Sequence, residues 1–314
     1  MRSFSGRRCS VRGSPGHNRP IRGCPGAAAD PAPPRIIEGR INSMCTTYLF
    51  ASGKGGVGKS TLAACLAAAL ARAGKSVVLI DADLGLRSQD LLLGLENSVV
   101  YDLIDVAEDR CLLSEALLEV PEIPKMRLLP ADQFVRARAL DPKKLKKIIS
   151  QLSLRQDMIL IDCPAGLERG LRNVLNAGGS LETILVVTPD DLCIRDAERV
   201  MSLVEAKNLP RPRLIVNRLR NDLIFSGDMY SAAAIAGLLD LSLLGEVPED
   251  PAFCLAQLRH RLAIDYACEA RGALCRIADR MMDKEQPFPE YGKKKTSFFR
   301  RHFAPALREV DQAL

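Results

Sequence analysis

Residues Gly53 to Ser60 read Gly-Lys-Gly-Gly-Val-Gly-Lys-Ser, and no other stretch limits so strongly what this chain can fold into. Gly53, Gly58, Lys59 and Ser60 meet the pattern Gly-x-x-x-x-Gly-Lys-Ser/Thr of a phosphate-binding loop. Glycines let the backbone turn its N–H groups inward around phosphates, and the positive end of the following helix favours the same anion. The expected cradle comprises Gly53, Lys54, Gly55, Gly56, Val57, Gly58, Lys59, Ser60 and Thr61. Lys59 would reach the β- and γ-phosphates and the Ser60 hydroxyl would ligand Mg²⁺. The context fits, because residues 48–52 read as a strand and 61–70 as a helix of small residues. A ligand-free glycine turn is the plain alternative, and the flanking strand and helix weigh against it.

From Tyr48 onward strands alternate with helices. Strands are expected at 76–81, 126–129, 158–162, 183–187, 214–216 and 243–247, and helices at 143–152, 191–207 and 229–239. Asp141-Pro142 supplies a cap and a first-turn proline for the first of these helices. Nearly continuous apolar strands with helices between them imply a sheet buried on both faces. The expected fold class is α/β: a doubly wound, mostly parallel sheet of the P-loop NTPase type, with a C-terminal amphipathic helix. The expected divisions are a leader over 1–43, an ATPase domain over 44–285, and a linker and tail over 286–314.

The composition, 47% hydrophobic and 26% charged, is that of a soluble globular protein, and no apolar run is long enough to cross a membrane. The net charge of +6 is local. Residues 1–44 hold eight arginines against Asp30 and Glu38, which leaves 36 basic and 36 acidic groups in the remainder. The basic balance is therefore no sign of a nucleic-acid-binding body, and no specific nucleic acid is expected as a partner. The leader is rich in Gly, Pro, Arg and Ser and should be disordered. It suits a transit peptide, an upstream start or vector sequence, since Ile37-Glu38-Gly39-Arg40 matches a protease tag site. Met44 is the expected native start. None of the ten cysteines forms a Cys-x-x-Cys pair. Reduced thiols in a cytosolic protein are expected, with Cys65, Cys163 and Cys193 acting as small hydrophobes and no cysteine metal site.

In open parallel sheets ligands bind beyond the carboxyl ends of strands. Asp81, Asp83 and Asp162 fall there, close to the phosphate loop. Asp162 ends an apolar strand in the manner of a Walker B aspartate and would hold Mg²⁺ through water. Helix caps or turn carboxylates are the alternatives for each.

Lys54 is the unusual element, since an ordinary phosphate loop needs no cation there. With it, the loop resembles the deviant Walker A motif of the MinD/ParA family of dimerising ATPases. Asp81-Ala82-Asp83-Leu84-Gly85-Leu86-Arg87-Ser88-Gln89-Asp90 resembles the first switch of MinD proteins, and Cys163-Pro164-Ala165-Gly166-Leu167-Glu168 the second. Val99-Val100-Tyr101-Asp102 and Gly227-Asp228-Met229 also match, so the resemblance spans about residues 45–303. It implies that Lys54 crosses a dimer interface to the other subunit's nucleotide, that Asp83 orients or polarises the attacking water beside Asp81, and that the backbone at Gly166 senses the γ-phosphate. It also implies that Asn217 binds adenine with Pro248, Glu249 and Asp250 flanking it, and that Arg195 and Asp196 bind a partner. The cofactors implied are ATP and Mg²⁺, and the reaction is slow, dimer-dependent ATP hydrolysis. The sequence departs from the family at Ser88, where asparagine is usual, at Arg259-His260-Arg261, which replaces an Asn-x-Gly turn, and at Ser60, where serine stands for threonine.

At the carboxyl end, Lys293, Lys294, Lys295, Phe298, Phe299, Arg300, Arg301 and Phe303 place phenylalanines among cations. Phe299, Phe303, Ala306, Leu307, Val310 and Leu314 share one helical arc, which suits an interfacial helix on anionic lipid. Pro305 interrupts that helix, so the main element is expected over 293–303. A basic tail in solvent, or a helix packed on the body, is the alternative. The resemblance implies septum placement from the inner face of the bacterial membrane. A homodimer, a MinC-type division inhibitor and a MinE-type or DivIVA-linked topological factor are the implied partners. A plastid stroma is the alternative location if the leader is a transit peptide. A ParA-type DNA-segregation ATPase and a flagellar-number regulator are the alternative functions.

Overall fold

The structure, a computed structural model, describes residues 45–84, 86–132, 140–167 and 169–289. The leader and the whole phenylalanine-rich tail, Lys293 to Phe303, lie outside the described residues, as do Gly85 and Glu168. In chain order the elements are β1 (Thr46–Ala51), α1 (Lys59–Arg72), β2 (Val77–Asp81), α2 (Gln89–Leu92), α3 (Leu103–Ala107), α4 (Leu113–Ala116), β3 (Leu118–Glu119), β4 (Met126–Leu129), α5 (Pro142–Ser153) and β5 (Met158–Asp162). Then follow α6 (Arg169–Asn176), β6 (Leu181–Val187), α7 (Asp191–Glu205), β7 (Arg213–Leu219), α8 (Asn221–Ser226), α9 (Ala232–Leu239), β8 (Ser242–Pro248), α10 (Pro251–Leu258) and α11 (Glu269–Met281).

The strands form one sheet in the order β3-β4-β2-β5-β1-β6-β7-β8. Every pairing is parallel except that of the two-residue edge strand β3 with β4. The doubly wound, mostly parallel sheet is therefore as the alternation of apolar runs predicts. β1 lies between β5 and β6, where the chain order reverses, so the loop after it opens into the crevice. Parallel register does the rest. Asp81 on β2 stands level with Asp162 on β5, and Asp162 level with Phe50 on β1.

α1 shows why alanine dominates 61–70. Leu62 through Leu70 are all buried, because the helix is covered by the sheet on one side and by α11 on the other. Small side chains let those layers approach closely. Cys65, Cys163 and Cys193 are fully buried thiols within this core, as expected of small hydrophobes.

Several boundaries differ from the sequence expectation. α1 begins at Lys59 rather than Thr61. α9 begins at Ala232 rather than at 229, because the Ser231 hydroxyl accepts from Ala234 N and caps it. β6 starts two residues earlier and α7 stops two residues sooner than expected. α5 is as expected, with the Asp141 carboxylate accepting from Lys143 N and Pro142 in the first turn.

Candidate functional site

Loop 53–58 joins β1 to α1 at the carboxyl end of the sheet. Gly56 and Gly58 take φ of 79° and 90°, left-handed values that only glycine adopts freely. Two glycines are also pressed by neighbours. A Cβ on Gly58 would stand 2.4 Å from Asn217 Nδ2, and one on Gly53 would stand 2.5 Å from the Asp196 carbonyl. The loop is thus a tight backbone cradle whose walls are β7 and the first turns of α7.

At its floor Lys59, the first residue of α1, is almost wholly buried. Its Nζ donates to Asp162 Oδ1 at 2.5 Å and to Ser60 Oγ at 3.3 Å. Gln89 Nε2 donates to Asp162 Oδ2 at 2.6 Å and to the Ser60 carbonyl at 3.1 Å. Asp81 accepts backbone N–H groups from Asp83 at 3.0 Å and Gln89 at 3.1 Å. Asp162 thus takes the buried ammonium, Asp83 feels its charge, and Asp81 is met by backbone N–H groups.

The titration behaviour follows from that arrangement. Burial, the largest single influence, lowers the Lys59 pKa, but the Asp162 charge and hydrogen bond, with a smaller contribution from Asp83, together outweigh it and raise the ammonium above its ordinary value. Burial, then the Asp162 charge, push Asp81 up to about 8, so at neutral pH it holds a proton. Burial also raises Asp83, with Lys59 opposing. A buried ammonium and hard oxygen donors suit a phosphate group and a divalent cation respectively. Ser60 and Asp162 are the oxygens that would hold Mg²⁺.

Asn217, on β7, donates from Nδ2 to the Val57 carbonyl at 2.8 Å. Its Oδ1 is buried without a hydrogen-bond partner among the described residues. A buried, unmet acceptor costs free energy unless a ligand donor meets it, and an exocyclic amine such as adenine's is of that kind. Pro248, expected to flank adenine, pairs with Leu219, two residues beyond Asn217, and so lies at the same end of the sheet. Asp250 is otherwise engaged. Its carboxylate caps α10 through Ala252 N and takes Ala270 N of α11. Burial opposes ionisation there, but those backbone donors outweigh it and hold Asp250 below its usual range. The Glu249 N–H donates to the Leu219 carbonyl at 2.9 Å.

Lys54 does not turn toward Lys59. Its Nζ lies 3.6 Å from Asp190 Oδ1, with both side chains nearly half exposed. Asp190 caps α7 through Cys193 N. Arg195 is exposed on α7, whereas Asp196 is partly covered and pairs with Arg199 at 3.1 Å. The Gly166 N–H donates to the Ser52 carbonyl at 3.0 Å, which ties the second switch to the start of the loop. Ser88 Oγ is buried without a partner among the described residues, at the position where the sequence departs from asparagine.

Gln89 is the site residue that sequence reasoning misses. A glutamine in a polar loop carries no signal. Only the fold reveals that it is fully buried and bridges Asp81, Asp162 and Ser60.

Residues 43–281 match the ParA family model described as a NUBPL iron-transfer P-loop NTPase. The chain is 42% identical over 250 residues to the septum site-determining protein MinD of Synechocystis, covering 79% of this chain and 93% of that protein. It resembles the MinD of Helicobacter pylori at 39% identity, over 82% of this chain and 97% of that protein. Among solved structures, the MinC:MinD complex of Aquifex aeolicus superimposes with a TM-score of 0.73 at 36% identity, over 79% of this chain and 100% of the other. The MinD of Pyrococcus horikoshii, solved with Mg-ADP, gives 0.68 at 30% identity, over 76% and 96%.

Proposed function

The chain belongs to the MinD family of P-loop ATPases with a role in division-site placement, and from that premise we propose that ATP closes it into a homodimer on the inner face of the membrane. Lys54 carries this reading. It is exposed, points away from its own Lys59 pocket, and among the described residues is held by a loose ion pair with Asp190. An exposed pair of that kind contributes about 0–1 kcal/mol, so Lys54 is free to reach a nucleotide on a second subunit at little cost.

Within one subunit, Lys59 holds the phosphates, the glycine loop donates backbone N–H groups, and Asn217 Oδ1 accepts from adenine. Ser60, and Asp162 through water, would hold Mg²⁺, which would supply charge neutralisation at the phosphates. Asp83 orients the attacking water beside Asp81, and Gln89 keeps Asp162 aimed at the site. No covalent intermediate is needed, since positioning and charge neutralisation supply the rate.

Gly53 packs closely against the Asp196 backbone, which sets the loop beside the first turns of α7. A MinC-type inhibitor recruited over Arg195 and Asp196 would therefore sense the nucleotide, and a MinE-type or DivIVA-linked factor would set where this happens. Two tails, each with Phe298, Phe299 and Phe303 beside Lys293–Lys295, Arg300 and Arg301, bind anionic lipid far better than one, because the second engages at high effective concentration.

Liposome co-sedimentation tests this, using the full chain and a form ending at Gly292, with ATP or ADP. ATP-dependent pelleting that needs the tail is the expected result. Pelleting unchanged by tail removal would sink the membrane assignment, and ATP-dependent retardation of DNA would favour a segregation ATPase instead.

A further inference from the structure

Arg259-His260-Arg261 forms a basic turn directly after α10. His260 has φ of 48°, a left-handed conformation that glycine or asparagine adopts with less strain. The turn itself does not call for basic side chains. The C-terminal end of α10 favours a cation at Arg259, its cap, but does not account for the surface around it.

That surface is a cleft of about 310 Å³ bounded by the three basic residues, the segment after α2, the approach to β4 and the last turn of α1. Its apolar wall is Leu92, Leu93, Leu95, Val120, Ile123 and Leu262. Leu91 and Leu258, beside lining residues in sequence, are exposed at 50% and 74%. Four cationic or titratable groups rim it against two acids. Arg72 is paired with Asp265 at 2.5 Å, and Arg261 loosely with Glu122 at 3.7 Å. The Arg259 side chain has no ion pair or hydrogen bond among the described residues. His260 uses Nδ1 on the Leu91 carbonyl at 3.3 Å, which ties the basic turn to α2.

We propose that this cleft docks an acidic–aliphatic segment of a partner protein, with a leucine-sized side chain against Leu92, Leu93 and Leu95 and flanking carboxylates on Arg259 and Arg261. Charge complementarity selects that occupant. The chain's own basic tail and arginine-rich leader carry the wrong sign. A simple anion would leave the leucines on either side unused. The site lies at the far end of α1, about 20 Å from Lys59 for a helix of 14 residues. A docked segment thus touches the two helices that carry Lys59 and Gln89. The inference rests on the cleft itself and not on the nucleotide reading.

Fluorescence anisotropy of the full, nucleotide-free chain tests it. The probes are a labelled hexapeptide Asp-Glu-Leu-Leu-Glu-Asp, its amide counterpart Asn-Gln-Leu-Leu-Gln-Asn and its glycine counterpart Asp-Glu-Gly-Gly-Glu-Asp. Only the acidic leucine peptide should bind, and Arg259→Glu should weaken it by about tenfold or more, a loss that shrinks as salt rises. Arg259 is exposed, and circular dichroism of the variant verifies that it folds. Absence of binding, equal binding of either counterpart, or indifference to Arg259→Glu each overturns the proposal.

Discussion

Replacing Lys59 with methionine should destabilise the nucleotide-free protein as well as remove its activity. The Lys59 ammonium lies 2.5 Å from Asp162, and both groups are buried. At an effective dielectric of about 20 their attraction is roughly 7 kcal/mol, most of it offset by the cost of taking both charges from water. The net value of the pair is small, but the cost of breaking it is not. Lys59→Met leaves Asp162 buried beside Asp81 with only the Gln89 amide to satisfy it. One-sided removal of a buried pair costs about 3–5 kcal/mol, and the loss expected here is at the lower end because Gln89 still bonds Asp162. For a chain of this size that is a fall in Tm of about 6–12 °C. Thermal unfolding followed by circular dichroism at pH 7 measures it. Lys59→Met/Asp162→Asn should recover most of the loss, since no charge remains to be buried. A single variant as stable as the parent, or a double variant no better than the single, would refute the buried-pair reasoning.

Other expectations follow from the same geometry. Asp81 keeps its proton to about pH 8 in the folded chain, while unfolded aspartate loses it near pH 4, so the folded state binds more protons between those limits. That group's contribution to stability therefore falls as pH rises from about 4 to about 8, and Asp81→Asn should flatten the decline in Tm between pH 5 and pH 8. An unchanged slope contradicts the assignment, although Glu246, pushed by burial to about 7, should leave some slope of the same sign. Gly53→Ala forces a methyl against the Asp196 carbonyl and should cost about 1–3 kcal/mol. Its ATP turnover should drop by about a hundredfold as the loop shifts. Asn217→Ala should weaken ATP binding by about ten- to a hundredfold in calorimetric titration and erase any preference over GTP, as its unmet Oδ1 and its bond to Val57 are both lost.

Local chemistry made much of the site legible. The glycine loop, the capped start of α5 and the apolar strands each carry their signal within a few neighbouring residues. The meeting of Asp81 and Asp162 follows once β2 and β5 are read as parallel neighbours, because each carboxylate ends its strand. Gln89 was not legible, since its role depends on where α2 packs and not on its own neighbours. β3 is two residues long and has no period to read. Asp250-Pro251 is a helix start of the same kind as Asp141-Pro142, a signal that its place in a segment resembling an adenine loop obscures. The structure gives the Asp250 carboxylate to α10 and α11.

Light scattering on the nucleotide-bound protein bears most directly on the proposed ATP-gated dimer. With ATP and Mg²⁺ the parent chain should double its mass, and with ADP it should not. Lys54→Ala should remain monomeric with ATP while still binding the nucleotide through Lys59. A Lys54→Ala protein that dimerises with ATP as the parent does would contradict the role of that lysine across the interface.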